Sequence, residues 1–274
     1  MNDFVISNSQ VSGAYFGVLY GSAGTGKTWL CRHAENPFYI ATEKGVEKVP
    51  DVGRFIKDGR INVPHDIDTF FNMMRFFITQ QHDYKTIVID SGKFVDQLIF
   101  SDVIAKHPYE TIKKESVKVE SIGDYNFGAG YDKALGYWVR ILKGIEALNK
   151  KGINVILIAH AHDKNVSNVS GDYKKTKIDL FEFGQFSAPN LLYAASDWTY
   201  YLASEVQTVK RKNVFGTEKI TALQGNPDIK VYTRSTNNFD AKIRTSVRSN
   251  VPDYYEIDMD DDATSKQIFI DLLK

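Results

Sequence analysis

Gly21-Ser22-Ala23-Gly24-Thr25-Gly26-Lys27-Thr28 satisfies the pattern G-x-x-x-x-G-K-[ST], and what flanks it decides how it folds. Before it, Tyr15 to Tyr20 is an apolar and aromatic run that reads as a buried strand. After it, a helix is expected from Lys27 to about Ala34. A strand that ends in a glycine-rich turn and opens a helix is the context in which this pattern cradles phosphates. The glycines let backbone N–H groups turn inward, and the helix N-terminus adds its dipole. Gly21, Ser22, Ala23, Gly24, Thr25, Gly26, Lys27 and Thr28 are therefore the expected nucleotide-binding residues. Lys27 should reach the β and γ phosphates, and Thr28 should place its hydroxyl on Mg²⁺, which takes few protein ligands beside phosphate oxygens.

Composition bounds the rest. The 274 residues are 43% apolar, enough for a continuous core in one large α/β domain or two small ones. Lys plus Arg equals Asp plus Glu at 34 each, so no overall basic field draws the chain to nucleic acid or an anionic membrane. Any DNA contact must come from local patches. The single cysteine, Cys31, can make no internal disulfide and suits a reducing compartment. No stretch approaches the roughly eighteen consecutive apolar residues of a membrane span, and Met1 to Gly13 lacks an apolar signal core. The expectation is a soluble cytoplasmic protein with no membrane partner.

Outward from the loop, Phe38-Tyr39-Ile40-Ala41-Thr42 reads as a second strand running up to Glu43. Asp66 or Asp68 can cap a helix whose Ile67, Phe70, Phe71, Met74, Phe77 and Ile78 form a core stripe. Thr86-Ile87-Val88-Ile89 is a β-branched strand ending in Asp90, with a helix from about Lys93 to Lys106 behind it. Residues 107 to 131 read as a loop. A helix then carries Leu135, Trp138, Val139, Leu142, Ile145 and Leu148, with Gly152 as its stop. Ile153 to Ala159 is the next buried strand, and residues 163 to 187 read as a second long loop. A helix from Ala188 to Ala195, a strand at Trp198 to Leu202, and antiparallel strands near Val206 to Lys210, Ile229 to Thr233 and Ala241 to Val247 complete the pattern. Alternating strands and helices predict an α/β fold: a mostly parallel central sheet with helices on both faces, antiparallel C-terminal strands, and ligands at the strand C-terminal edge. An acidic run, Asp258 to Asp262, precedes a short terminal helix.

Asp90, at the end of an apolar strand, is the expected holder of the magnesium. Ser91 follows it, where the AAA+ class usually carries a water-activating glutamate. The base must come from elsewhere, and Glu43 is placed to supply it. Phe38 to Glu43, Ile87 to Ser91 and Ile156-Leu157-Ile158-Ala159-His160 together resemble the RecA-type ATPase core. Within it the likeness is nearest to small phage nucleotide-binding proteins of the Sak-four type, which are RecA-like single-strand annealing proteins. The resemblance covers roughly residues 14 to 250 and implies a single RecA-like P-loop NTPase domain. An N-terminal segment (1–13) would precede it, and an acidic tail with its helix (250–274) would follow. It implies ATP with Mg²⁺ as cofactors, Glu43 as the water-polarising base and His160 as the γ-phosphate sensor. His160 and His162 as a metal pair are disfavoured, because no third ligand is apparent.

Lys242 and Arg244 resemble the Lys-x-Arg element that RecA-type oligomers insert into a neighbour's nucleotide site. Residues two apart on a strand point the same way, so both cations can face one γ-phosphate. That implies a homo-oligomer, ring or filament, with nucleotide at its interfaces. Lys113, Lys114 and Lys118 with Tyr109, Tyr125 and Phe127 in the first loop, and Lys164, Lys174, Lys175 and Lys177 with Tyr173 in the second, interleave cations with rings. This is the pattern of a sequence-tolerant single-strand surface. Single-stranded DNA is the expected partner, with a single-strand-binding protein as a further one and the host cytoplasm as the location the resemblance implies. Competing readings are a P-loop kinase for a small molecule and a helicase-loader-like interaction module.

Overall fold

The computed structural model describes residues 13–42, 44–112, 114–168, 171–205, 208–212, 218–222, 228–244, 251–258 and 261–272. Strand β1 (Phe16–Gly21) leads through the glycine-rich turn into the short helix α1 (Lys27–Cys31). Next come β2 (Pro37–Ala41), α2 (Ile67–Thr79), β3 (Thr86–Asp90), α3 (Gly92–Lys106) and α4 (Ala129–Asn149). The second half holds β4 (Asn154–Asn168), β5 (Gly171–Ile178), α5 (Ala188–Ala195), β6 (Trp198–Glu205), β7 (Asp228–Tyr232), β8 (Lys242–Ile243), β9 (Tyr254–Ile257) and α6 (Asp262–Leu272).

Among the described residues the main sheet runs β9-β7-β6-β1-β4-β3-β2, then the two-residue strand Gly53–Arg54, with β5 on β4 and β8 on β6. From β6 to Gly53–Arg54 every pairing is parallel, and β5, β7, β8 and β9 are antiparallel to their neighbours. The expected α/β class and the antiparallel C-terminal edge are both present. The sheet divides the core in two because side chains alternate along a strand. Val18 and Tyr20 join a cluster with α2, α3, α4 and α5, whereas Leu19 joins one with α1, β6 and α6. Among the described residues, no helix is long and apolar enough to cross a membrane.

Helix α2 begins where Asp66, in extended backbone, accepts the amide of Thr69 at 2.7 Å, so Asp66 is the cap. Its stripe packs as expected, with Met73 added to the buried set. In α4 the buried face is Ala134, Trp138, Ile141, Ile145 and Leu148, about one residue round from the expected one. Leu135 and Leu142 lie at its margin, and Val139 faces solvent.

The two expected loops are largely β-structure. Within 107 to 131, Tyr109–Ile112 pairs with Glu115–Lys118, and short 3-10 turns at Ile122–Asp124 and Asn126–Gly128 lead into α4. Within 163 to 187, β4 does not stop at Ala159. It continues nine residues further, to Asn168, and pairs with β5 from Ala161↔Ile178 out to Asn168↔Gly171. Among the described residues, the strands of this arm carry mostly polar side chains and lack the apolar alternation by which a strand is recognised. Near the C-terminus the strand at Trp198 extends to Glu205, while Thr208–Lys212 pairs with Glu218–Ala222 in a separate ribbon. The strand expected at Ala241 to Val247 is Lys242–Ile243, with 245–250 outside the described residues.

Candidate nucleotide site and the arm beside it

The register of the sheet sets the end of β1 against the middle of its two neighbours at the loop. Gly21 lies opposite His160 on β4 and Leu202 on β6. A Cβ at Gly21 would stand 2.2 Å from the Leu202 carbonyl oxygen, so the loop can begin there only with glycine. Gly24 and Gly26 have φ of 78° and 88°, the left-handed region that glycine enters without strain. The turn folds back over Lys27, which is only 5% exposed, and its Nζ donates to the carbonyls of Gly21 (2.9 Å) and Ser22 (2.6 Å). Thr25 Oγ1 also donates to Ser22 O, at 2.9 Å. Ala23 sits at the exposed crest between Ser22 and Gly24.

Strand β4 separates β1 from β3, yet Thr28 Oγ1 donates to Asp90 Oδ2 at 2.6 Å, spanning β4 at the level of Ile158 to His160. A hydroxyl and a buried carboxylate, with a buried ammonium beside them, are the donor set that Mg²⁺ and a polyphosphate require, so the residues present fit that ligand. Two residues that sequence reasoning missed brace the set. Tyr39 Oη donates to Thr28 O at 2.7 Å. The Thr42 amide donates to Asp90 O at 2.7 Å, and its Oγ1 accepts the Ser91 amide at 2.5 Å. Neither stood out because a tyrosine in a strand and a threonine at its end are ordinary core residues until the strands are paired. Cys31 lies beneath the loop, where burial first and then Asp90 push its thiol well above the usual range, and it stays protonated.

His160 is half-buried where β4 leaves the sheet, and its carbonyl accepts the Asp179 amide at 2.8 Å. Asp179 Oδ1 also receives Lys93 Nζ at 2.8 Å and lies 3.8 Å from His162 Nδ1. Lys93 is three residues beyond Asp90 in the first turn of α3, so this ion pair ties the Asp90 end of the site to the foot of the arm. Glu43 lies outside the described residues, one position past the buried Thr42.

On the arm, Lys164 is opposite Lys175, Lys177 opposite His162 and Tyr173 opposite Val166, so these six share one face. Two of its lysines are paired: Lys164 with Glu182 at 2.8 Å and Lys175 with Asp240 at 2.6 Å. The Glu182 carboxyl is held below the usual range by the Lys164 bond first, with Lys177 and His162 adding to it against partial burial. Lys174 is exposed on the opposite face. In the 109–118 hairpin Lys114 is in the turn at φ 72° and Lys118 is exposed opposite Tyr109, whereas Lys113 is outside the described residues. Phe127 is 99% exposed, but Tyr125 is buried, its hydroxyl donating to His107 O at 2.7 Å, which removes it from the rings able to stack on a base.

Lys242 and Arg244 sit elsewhere. Lys242 pairs with Thr199, which is level with Val18, about 10 Å down the sheet from Gly21. Lys242 Nζ donates to Tyr193 O and Arg244 Nη2 to Ala194 O, so both cations finish the last turn of α5 within their own chain. Burial first, then Arg244, pushes the Lys242 ammonium down to about 8. The fold does not bring this pair to the loop of its own chain.

No curated protein sequence matches the chain. A family model described as an AAA domain matches residues 14–245, and with the loop, hydroxyl and carboxylate assembled as above the chain belongs to that family of nucleotide-binding ATPases.

Proposed function

We propose that the chain is a Mg-ATP-hydrolysing protein of RecA type that binds single-stranded DNA as a homo-oligomer and promotes annealing or strand exchange, in the manner of the phage proteins it resembles. The observation that carries this reading is the continuity of β4: the strand that lies beside the loop and bears His160 runs without a break into the lysine-bearing arm. A shift at His160 is therefore a shift at the base of the arm, because a paired strand moves as a unit.

In this reading Lys27 binds the β and γ phosphate oxygens, and Thr28 and Asp90 hold the magnesium. Bound Mg²⁺ supplies charge neutralisation between the phosphates. Glu43 takes the proton of the attacking water, and His160 reads whether the γ-phosphate is there. Lys242 and Arg244 leave the end of α5 to reach the site of the adjoining subunit. Lys164, Lys174, Lys175, Lys177, Lys114, Lys118 and Lys113 contact DNA phosphates, Phe127 and Tyr109 stack on bases, and a single-strand-binding protein supplies the strand.

The test is ATP turnover with and without single-stranded DNA at two salt concentrations, using Lys27→Ala and Glu43→Gln as controls. Stimulation should weaken with salt and vanish in both variants. Lys174→Ala and Lys177→Ala should each lower the slope of log affinity against log salt by about 0.7. Turnover indifferent to DNA would sink the proposal in favour of a small phosphate acceptor.

A further inference from the structure

The chain has three tryptophans, and two of them, Trp138 and Trp198, are fully buried. The third, Trp29, directly follows Thr28 in the first turn of α1 and is partly exposed. A helical Cα–Cβ bond tilts toward the N-terminus, so a side chain here covers the surface over the preceding turn, which is the phosphate loop. The Arg32 guanidinium stands over the indole, its Cζ 4.0 Å from the ring centroid. Arg32 is itself held: Nη2 donates to Asp262 Oδ1 at 2.6 Å and Nε to His33 Nε2 at 3.2 Å. His33 Nε2 lies 3.5 Å from the same carboxylate. Asp262 opens α6, whose Ile268, Phe269 and Leu272 are buried in the cluster that contains Leu30 and Cys31. The C-terminal helix thus anchors a flat cation–aromatic stack at the rim of the loop, using a residue 230 positions away in sequence.

We infer that the Trp29–Arg32 stack is the wall against which the aromatic base of the bound nucleotide lies, and that Asp262 is the positioning residue that keeps it in place. This rests on the nucleotide reading above and extends it. Arg32 covers one face of the indole, and the partly exposed remainder of the ring is surface that a flat heterocycle covers at little entropic cost, because the ring is already fixed. A loose tryptophan would have to be ordered on binding. The acidic C-terminal segment is in this view part of the nucleotide site, acting through Arg32, and its first helical residue tunes base recognition without touching phosphate.

Binding of Mg-ATP and of inorganic tripolyphosphate, which has no base, to the full-length chain separates the two claims. In Trp29→Ala, ATP affinity should fall roughly tenfold while tripolyphosphate affinity stays that of wild type. Trp29→Phe, which keeps a ring, should bind ATP nearly as wild type does. ATP, but not tripolyphosphate, should change the indole emission of the wild-type protein, and the change should be absent in Trp29→Phe. Asp262→Asn should weaken ATP by a smaller factor, again sparing tripolyphosphate. Equal ATP affinity in wild type and Trp29→Ala, or equal loss of both ligands, overturns the inference while leaving the nucleotide reading intact. A wild-type chain that binds neither ligand overturns both.

Discussion

Replacing Asp96 by asparagine tests whether burial or hydrogen bonding rules a carboxyl at the foot of the arm. Asp96, on α3, is 2% exposed and accepts the Trp138 indole N–H at 2.8 Å and the Phe181 amide at 2.9 Å, three residues past the end of β5. Burial pushes its carboxyl up to about 7, against the two hydrogen bonds and Lys93, which pull it down, while Asp179 pushes it further up. The folded state therefore holds a proton that the unfolded chain has released by about pH 4. Stability contributed by this group is present at low pH and lost as the pH rises toward 7. Between pH 5 and pH 8 that loss is on the order of 3 kcal/mol, from about 1.4 kcal/mol per unit over the span in which only the folded state is protonated. Asparagine does not titrate. Its single carbonyl satisfies one donor and leaves its NH₂ against the other, a cost of about 1–3 kcal/mol at any pH. Asp96→Asn should be the less stable protein at pH 5 and draw level with wild type or pass it at pH 8. Urea unfolding followed by tryptophan emission reads this as a change of about 1 M in the difference between midpoints, for a slope near 3 kcal/mol/M. A gap constant across that pH range would refute the argument: the carboxylate would then be ionised throughout, with its two hydrogen bonds outweighing burial.

Gly17→Ala should cost about 1–3 kcal/mol in the same assay, since its Cβ would lie 2.0 Å from indole carbons of Trp198, a ring only 1% exposed with no room to withdraw. A loss under about 0.5 kcal/mol would mean that the two strands can part at that point. Asp90→Asn should raise the Mg²⁺ concentration needed for tight nucleotide binding by at least about tenfold while sparing Mg-independent ADP binding, and an unchanged titration would remove Asp90 from the metal site. If Lys242 and Arg244 act on a neighbouring subunit, mixing Lys242→Ala/Arg244→Ala with Lys27→Ala should restore turnover that neither has alone. Persistent inactivity of the mixture would confine the pair to closing α5.

The elements nearest the phosphate loop were legible because their signals are local. The strand, loop and helix of residues 16–31 follow from apolar run, glycine spacing and lysine in one short window, and α2 declares its buried face by spacing, whereas the choice of Asp66 over Asp68 as its cap came from the structure. Asp90 could be placed at a strand end by the same local signals, whereas His160, expected just past a strand ending at Ala159, lies inside β4, which runs on to Asn168. The arm was not legible, because its strands lack the apolar alternation that reveals a strand, and Lys, Asn and Asp along β4 and β5 look like loop. Nor could a sequence show which lysines are already paired. Lys164 with Glu182 and Lys175 with Asp240 join segments 18 and 65 residues apart, and only folding brings them within 3 Å. The same holds for Thr28 with Asp90, Arg32 with Asp262 and Asp96 with Phe181, each a contact between elements far apart in the chain. The chemistry of the loop was written in eight consecutive residues, since backbone conformation and side-chain type suffice for a phosphate cradle. What surrounds that cradle was decided by strand order, with β4 set between β1 and β3, because the ranking of parallel strands depends on how the helices pack on the two faces of the sheet.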